Sequence, residues 1–112
     1  DLGNAICAEQ KVKCKWVESD FDGMIPGLNA NKFDGVISSM TVTEAREKAI
    51  DFSSELFSGP TSLVFKKGAN FSTPESLKGK SVGYEQGTIQ EAYAKAVLDK
   101  AGVTTKAYAN QD

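Results

Sequence analysis

A chain of 112 residues is long enough for one ordinary domain or for parts of two small ones. Apolar residues make up 40% and charged residues 25%, which supplies a packed core and excludes wholesale disorder. Net charge is −2 and the basic residues are scattered, which argues against nucleic acid as a partner, and no apolar run approaches the roughly 18 residues of a membrane span.

Residues 2–10 read as a helix with Leu2, Ala5 and Ile6 on one side. Cys7 and Cys14 enclose a short loop. By spacing alone the pair fits a disulfide, two buried thiols or coincidence. Cys-x6-Cys matches no common zinc pattern, and the chain has no His to complete one. From Val12 to Val17 apolar and polar residues alternate, the period of a strand. Lys11, Lys13 and Lys15 form its solvated face, and Trp16 is expected in the core. Phe21, Met24, Ile25 and Leu28 then recur at helical spacing. With Asp22 as N-cap, Pro26 is the fourth helical residue, whose N–H has no intrahelical partner anyway.

Asn31 to Gly35 is a turn into a strand over Val36–Ser39, followed by a short helix from about Thr43 to Lys48. Phe57-Ser58-Gly59-Pro60 is a break, and Ser62–Phe65 reads as a new strand. Thr73 is placed to cap a one-turn helix with Pro74 at its first position. The strand Ser81–Glu85 follows, then a helix from Ile89 to about Lys100 that Gly102 ends, then a strand over Thr104–Tyr108. Strands alternating with helices predict an α/β fold built of parallel βαβ units.

One device occurs twice: a strand that runs into a threonine three residues before a glutamate, Thr41 to Glu44 and Thr88 to Glu91. That is the capping-box spacing. A capped helix start after a strand presents N–H groups and the positive end of a dipole to a small anion. Ser38, Ser39 and Thr41 add hydroxyls to the first copy, and Arg46 adds a fork that matches a carboxylate. Thr88 and Gln90 offer a facing grip from the second. Each residue also has a plain structural reading: Thr41 as a helix cap, Arg46 as a solvated helix residue, Phe21 as core. Glu85, at the end of a strand beside the second grip, reads either as exposed or as an attractor for a cationic ligand group. Catalysis finds little support. There is no His, no Gly-x-Ser-x-Gly, no phosphate loop, no Cys-x-x-Cys and no dinucleotide fingerprint.

Several stretches together resemble the extracytoplasmic amino-acid-binding proteins of ABC importers, closest to the group that binds lysine, arginine, ornithine or histidine. They are Asp1-Leu2-Gly3-Asn4, the Cys7/Cys14 pair, and Trp16-Val17-Glu18-Ser19-Asp20-Phe21-Asp22-Gly23-Met24-Ile25-Pro26. Asp34-Gly35-Val36-Ile37-Ser38-Ser39-Met40-Thr41-Val42-Thr43 with Arg46, and Asp51-Phe52-Ser53, continue the match. Ser76-Leu77-Lys78-Gly79-Lys80-Ser81-Val82-Gly83 and Gln86-Gly87-Thr88 extend it into the second half.

The resemblance implies a two-lobed venus-flytrap that closes on one free amino acid without covalent chemistry or a cofactor. It implies that Arg46 and the backbone around Thr41 and Thr88 hold the α-carboxylate, and that Ser39 helps hold the α-amino group beside Ser38. Phe21 would stack on the ligand side chain and Gln90 would border the cleft. Glu85 stands where relatives often carry an apolar or amide residue. A Cys7–Cys14 bridge, a periplasmic location and a membrane permease as partner follow from the same resemblance.

Family members are about twice this length, so the chain is expected to be an internal piece with two incomplete lobes and mostly parallel sheets. Residues 1–57 are assigned to the first lobe, 58–60 to the crossover and 61–112 to the second. Such a piece would bind weakly, exchange elements with another copy or need its missing portions. A sensor domain of the same fold and a dehydratase-like enzyme on this scaffold are the alternative functions.

Overall fold

The computed structural model describes residues 1–111 and divides into two compact units, Asp1–Ile50 and Asp51–Asp112.

The first unit opens with α1, Leu2–Glu9, capped by the Asp1 carboxylate, which accepts the Asn4 N–H at 3.1 Å. Cys7 near its end is bonded to Cys14 with the Cα atoms 6.1 Å apart, which ties the helix to the segment that follows. Gly3 is buried because the Trp16 indole lies on it, and a Cβ there would come within 2.5 Å of the ring. The indole N–H donates to the Asn4 side-chain oxygen at 3.0 Å. Trp16 is still 55% exposed, so its expected core position is corrected: it covers the outside of α1. The strand expected over 12–17 does not form, and neither does the one over 36–39. Alternation prepares a segment for a sheet, but a strand exists only where a neighbour supplies the ladder. Among the described residues of this unit no segment does.

A 3₁₀ turn, Phe21–Gly23, leads into α2, Met24–Asn29. Asp20, in extended conformation, stands at the start of this helical run and Asp22 lies inside the turn, so the expected Asp22 cap is two residues late. Pro26 falls in the first turn of α2, where a missing N–H costs no hydrogen bond. Gly27 is buried under the Phe33 ring, which would lie 2.5 Å from a Cβ. The unit closes with α3, a single turn over Glu44–Glu47.

In the second unit, Thr73 caps the 3₁₀ turn Pro74–Leu77 with Pro74 at its first position, as expected, and Ser76 returns the bond to complete a reciprocal capping box. Then come β1 (Ser81–Glu85), α4 (Ile89–Tyr93, continued by a π-helical turn Ala94–Leu98) and β2 (Thr104–Tyr108). The two strands pair in parallel from Ser81↔Thr104 to Glu85↔Tyr108, the expected βαβ unit. Gly102, at φ +78°, ends the helix in the left-handed conformation that a Cβ resists. Leu77, Ala94, Leu98 and Val103 form the buried core, with Phe71, Val82, Tyr84 and Ala101 packed on it. The strand expected over 62–65 has no ladder, and Val64 is 92% exposed.

Candidate functional site

In the first unit the cap of α3 sets the position of Arg46. Thr43, not Thr41, is the N-cap: its hydroxyl accepts the Arg46 N–H at 3.3 Å. The first capping box of the sequence reading is therefore corrected by two residues. Thr41 contributes its backbone instead, since its carbonyl accepts Nη1 of Arg46 at 2.7 Å. The guanidinium lies over the Phe21 ring with Cζ 5.3 Å from the centroid, within cation–π range. Burial lowers the pKa of this guanidinium from its ordinary value, which still leaves it cationic at any physiological pH. Phe21 thus bears the arginine on one face. A stacked, hydrogen-bonded guanidinium is a pre-oriented cation, and its fork geometry suits a carboxylate.

Ser38 and Ser39 precede this cluster in the chain. The Ser38 hydroxyl oxygen is buried and finds no hydrogen-bond partner among the described residues. Buried hydroxyls are normally paired, so an orphan in this position is informative. Ser39 has φ +53°, a left-handed backbone that is uncommon outside Gly, Asn and Asp.

The second unit brings Glu85, Thr88 and Gln90 to one open cleft of about 520 Å³, whose wall also includes Ser62, Tyr108 and Gln111. Its size suits a small ligand. Thr88 caps α4, accepting the Glu91 N–H at 3.2 Å and donating its own proton to the Glu85 carbonyl at 2.7 Å. The return half of the expected box is displaced by one residue. The Glu91 carboxylate accepts from the Gly87 N–H at 2.7 Å rather than from Thr88. Gly87, at φ +77°, turns its N–H toward that carboxylate. Glu91 also pairs with Lys95, and these two donors lower its pKa while the pair raises that of Lys95. The Gln90 amide donates to the Thr61 hydroxyl at 3.3 Å, and the Gln111 amide donates to Glu85 Oε2 at 2.9 Å.

Sequence reasoning missed Tyr108, Gln111 and Ser62 as cleft residues. The signal for Tyr108 was present in the βαβ reading: the last residues of β1 and β2 must sit side by side if the strands are parallel and of equal length. Among the described residues no group of His, Cys, Asp and Glu side chains could hold a metal ion.

Residues 1–106 match the profile of the bacterial extracellular solute-binding proteins, family 3. The chain belongs to that family. It is 49% identical over 113 residues to the lysine/arginine/ornithine-binding periplasmic protein of Escherichia coli K12, covering all of this chain and 44% of that relative. Among solved structures it is similar to an ancestral arginine-binding protein bound to arginine, with a TM-score of 0.89 and 42% identity over 97% of this chain and 49% of the other. It is also similar to an ancestral amino acid-binding protein, AncCDT-1, described as a precursor of cyclohexadienyl dehydratase, with a TM-score of 0.85 and 36% identity. That likeness covers 97% of this chain and 49% of the other. The α/β fold of this solute-binding family member is thus the periplasmic-binding-protein type. The chain spans a little under half the length of the curated relative it matches.

Proposed function

We infer that this chain is part of an extracytoplasmic solute-binding protein that captures a free basic L-amino acid for an ABC importer. The observation that carries the reading is Arg46, cationic and pre-oriented by Phe21 and the Thr41 carbonyl, in a chain of this family. A guanidinium held in this way suits the α-carboxylate that every amino acid carries. The orphan Ser38 hydroxyl supports a polar ligand group beside it, and Ser39 is assigned to the α-amino group. Phe21, Ser38, Ser39, Thr41 and Arg46 form the share of residues 1–57, and Glu85, Thr88 and Gln90 that of 61–112, with the crossover at 58–60.

Binding is non-covalent in this reading, and ligand-dependent lobe closure signals a membrane permease. The Cys7–Cys14 bridge supports an oxidising compartment, the periplasm. Calorimetry of the protein at full length against the twenty amino acids and ornithine is the test. Arginine, lysine, ornithine or histidine should bind tightest, and a preference for an acidic or neutral amino acid overturns the proposal.

A dehydratase-like activity is the second reading, favoured by the likeness to a dehydratase precursor. Turnover of a candidate substrate that Glu85→Gln abolishes would establish it in place of pure binding.

A further inference from the structure

We propose that Glu85 and Tyr108 form a corner of the second unit's cleft that reads a cationic group on the ligand's side chain. This deepens the amino-acid-binding reading and rests on it.

The two residues face each other across the parallel ladder, each at the last position of its strand. Neighbours in register project their side chains to the same side of a sheet, so both enter the same cleft, whose wall they share. Gly83 lies two residues before Glu85 and therefore on that same face. A Cβ at Gly83 would sit 3.0 Å from the Tyr108 ring, so the ring leans back over bare backbone that only glycine provides. Half of Tyr108 stays exposed, which leaves ring surface available to a ligand. Gln111 donates to one oxygen of the Glu85 carboxylate, which orients it without adding charge. The described residues lining the cleft include no Lys or Arg, so nothing in the wall neutralises that carboxylate.

A carboxylate beside an aromatic face, with no basic side chain in the wall, selects for a cation. The carboxylate accepts charge-assisted hydrogen bonds from a guanidinium or ammonium. The ring attracts the same charge through its quadrupole. An anionic tip would gain neither, and a neutral N–H donor would gain only a hydrogen bond to the carboxylate without the charge–charge and cation–π attraction.

The test compares arginine with citrulline, which replaces the guanidinium by a neutral ureido group of the same shape, in the protein at full length. Wild type should bind arginine more tightly than citrulline. Glu85→Gln should weaken arginine by about tenfold or more, the worth of one hydrogen bond to a charged group, and weaken citrulline clearly less. Tyr108→Leu should weaken arginine about two- to five-fold, the worth of an exposed cation–π contact, and again weaken citrulline less. An unfolding midpoint by circular dichroism that matches wild type checks that each variant is folded. Equal losses for both ligands in Glu85→Gln would mean that Glu85 meets the α-ammonium, and this overturns the proposal. Full arginine affinity in that variant overturns it too while leaving the amino-acid-binding reading intact. Wild type that binds no amino acid removes both.

Discussion

Arg46 is clamped between an aromatic ring and a backbone carbonyl: Cζ lies 5.3 Å from the centre of Phe21, and Nη1 donates to Thr41 at 2.7 Å. Both contacts act on orientation: the guanidinium lies over the ring, and the carbonyl takes one of its N–H groups. Arg46→Ala in the protein at full length is expected to cost about 2–5 kcal/mol of amino-acid binding, as when one partner of a buried ion pair is removed. Arg46→Lys should not restore it, because an ammonium lacks the planar fork and the stacking face. Calorimetry reads both, and an unchanged dissociation constant in Arg46→Ala would remove this residue from the site.

The shifted cap of α3 separates two threonines that look equivalent in sequence. Thr43→Ala is expected to destabilise the protein by about 1 kcal/mol, the usual loss for an N-cap hydroxyl. Thr41→Ala keeps the carbonyl that holds Arg46 and should stay within about 0.5 kcal/mol. Urea denaturation of the two variants gives the comparison, and the reverse order would return the cap to Thr41.

Reducing the Cys7–Cys14 bridge, or replacing both residues by Ser, should lower stability by about 2.5 kcal/mol, the loop-entropy value for so short a ring. Denaturation midpoints with and without reductant measure it. The loss should fall on the first unit, in which both cysteines lie.

Leu98 is 5% exposed in the small cluster it shares with Leu77, Ala94 and Val103. Leu98→Ala should cost about 2–5 kcal/mol, the range for a buried leucine whose cavity collapses only in part. Thermal unfolding followed by circular dichroism is the readout, and a negligible shift would mean the π-helical turn repacks freely.

The Glu91–Lys95 pair sets a pH dependence with a defined sign. Bonds to Lys95 and to the Gly87 N–H hold the Glu91 pKa below its ordinary 4.5. Its contribution is complete above 4.5 and disappears as pH falls through the lowered folded-state value. Lys95 runs the other way: its pKa is raised above 10.5, so its contribution is complete below that value and is lost as pH rises beyond it. The stability gap between wild type and Glu91→Gln should therefore be flat between these limits and close at both ends. It should be small and shrink in salt, because the pair is exposed. A gap that widens in acid would reverse the assignment.

Local chemistry was legible wherever a residue acts on its own neighbours in the chain. Thr73 before Pro74, Thr88 before α4, Gly102 after it, and the spans of both strands in the second unit follow from caps, turns and periodicity within a few residues. The first half was harder to read for the same physical reason. The stretches 12–17 and 36–39 carry strand-like patterns, yet a pattern cannot supply the partner that a ladder requires. Two threonines flanking Val42 satisfy the capping rule almost equally, and only the backbone path decides that Thr43 bonds the Arg46 N–H.

By itself, then, the chain's sequence determined membership in its family, the βαβ order of the second half and the residue types available to grip an amino acid. Those depend on local spacing and on side-chain chemistry. The tertiary structure alone decided that Trp16 lies outside α1, that Phe21 carries Arg46, and that Tyr108 leans over Gly83 beside Glu85. Each of these pairs residues far apart in the chain, and such contacts are set by packing and strand register, which no short window of residues encodes.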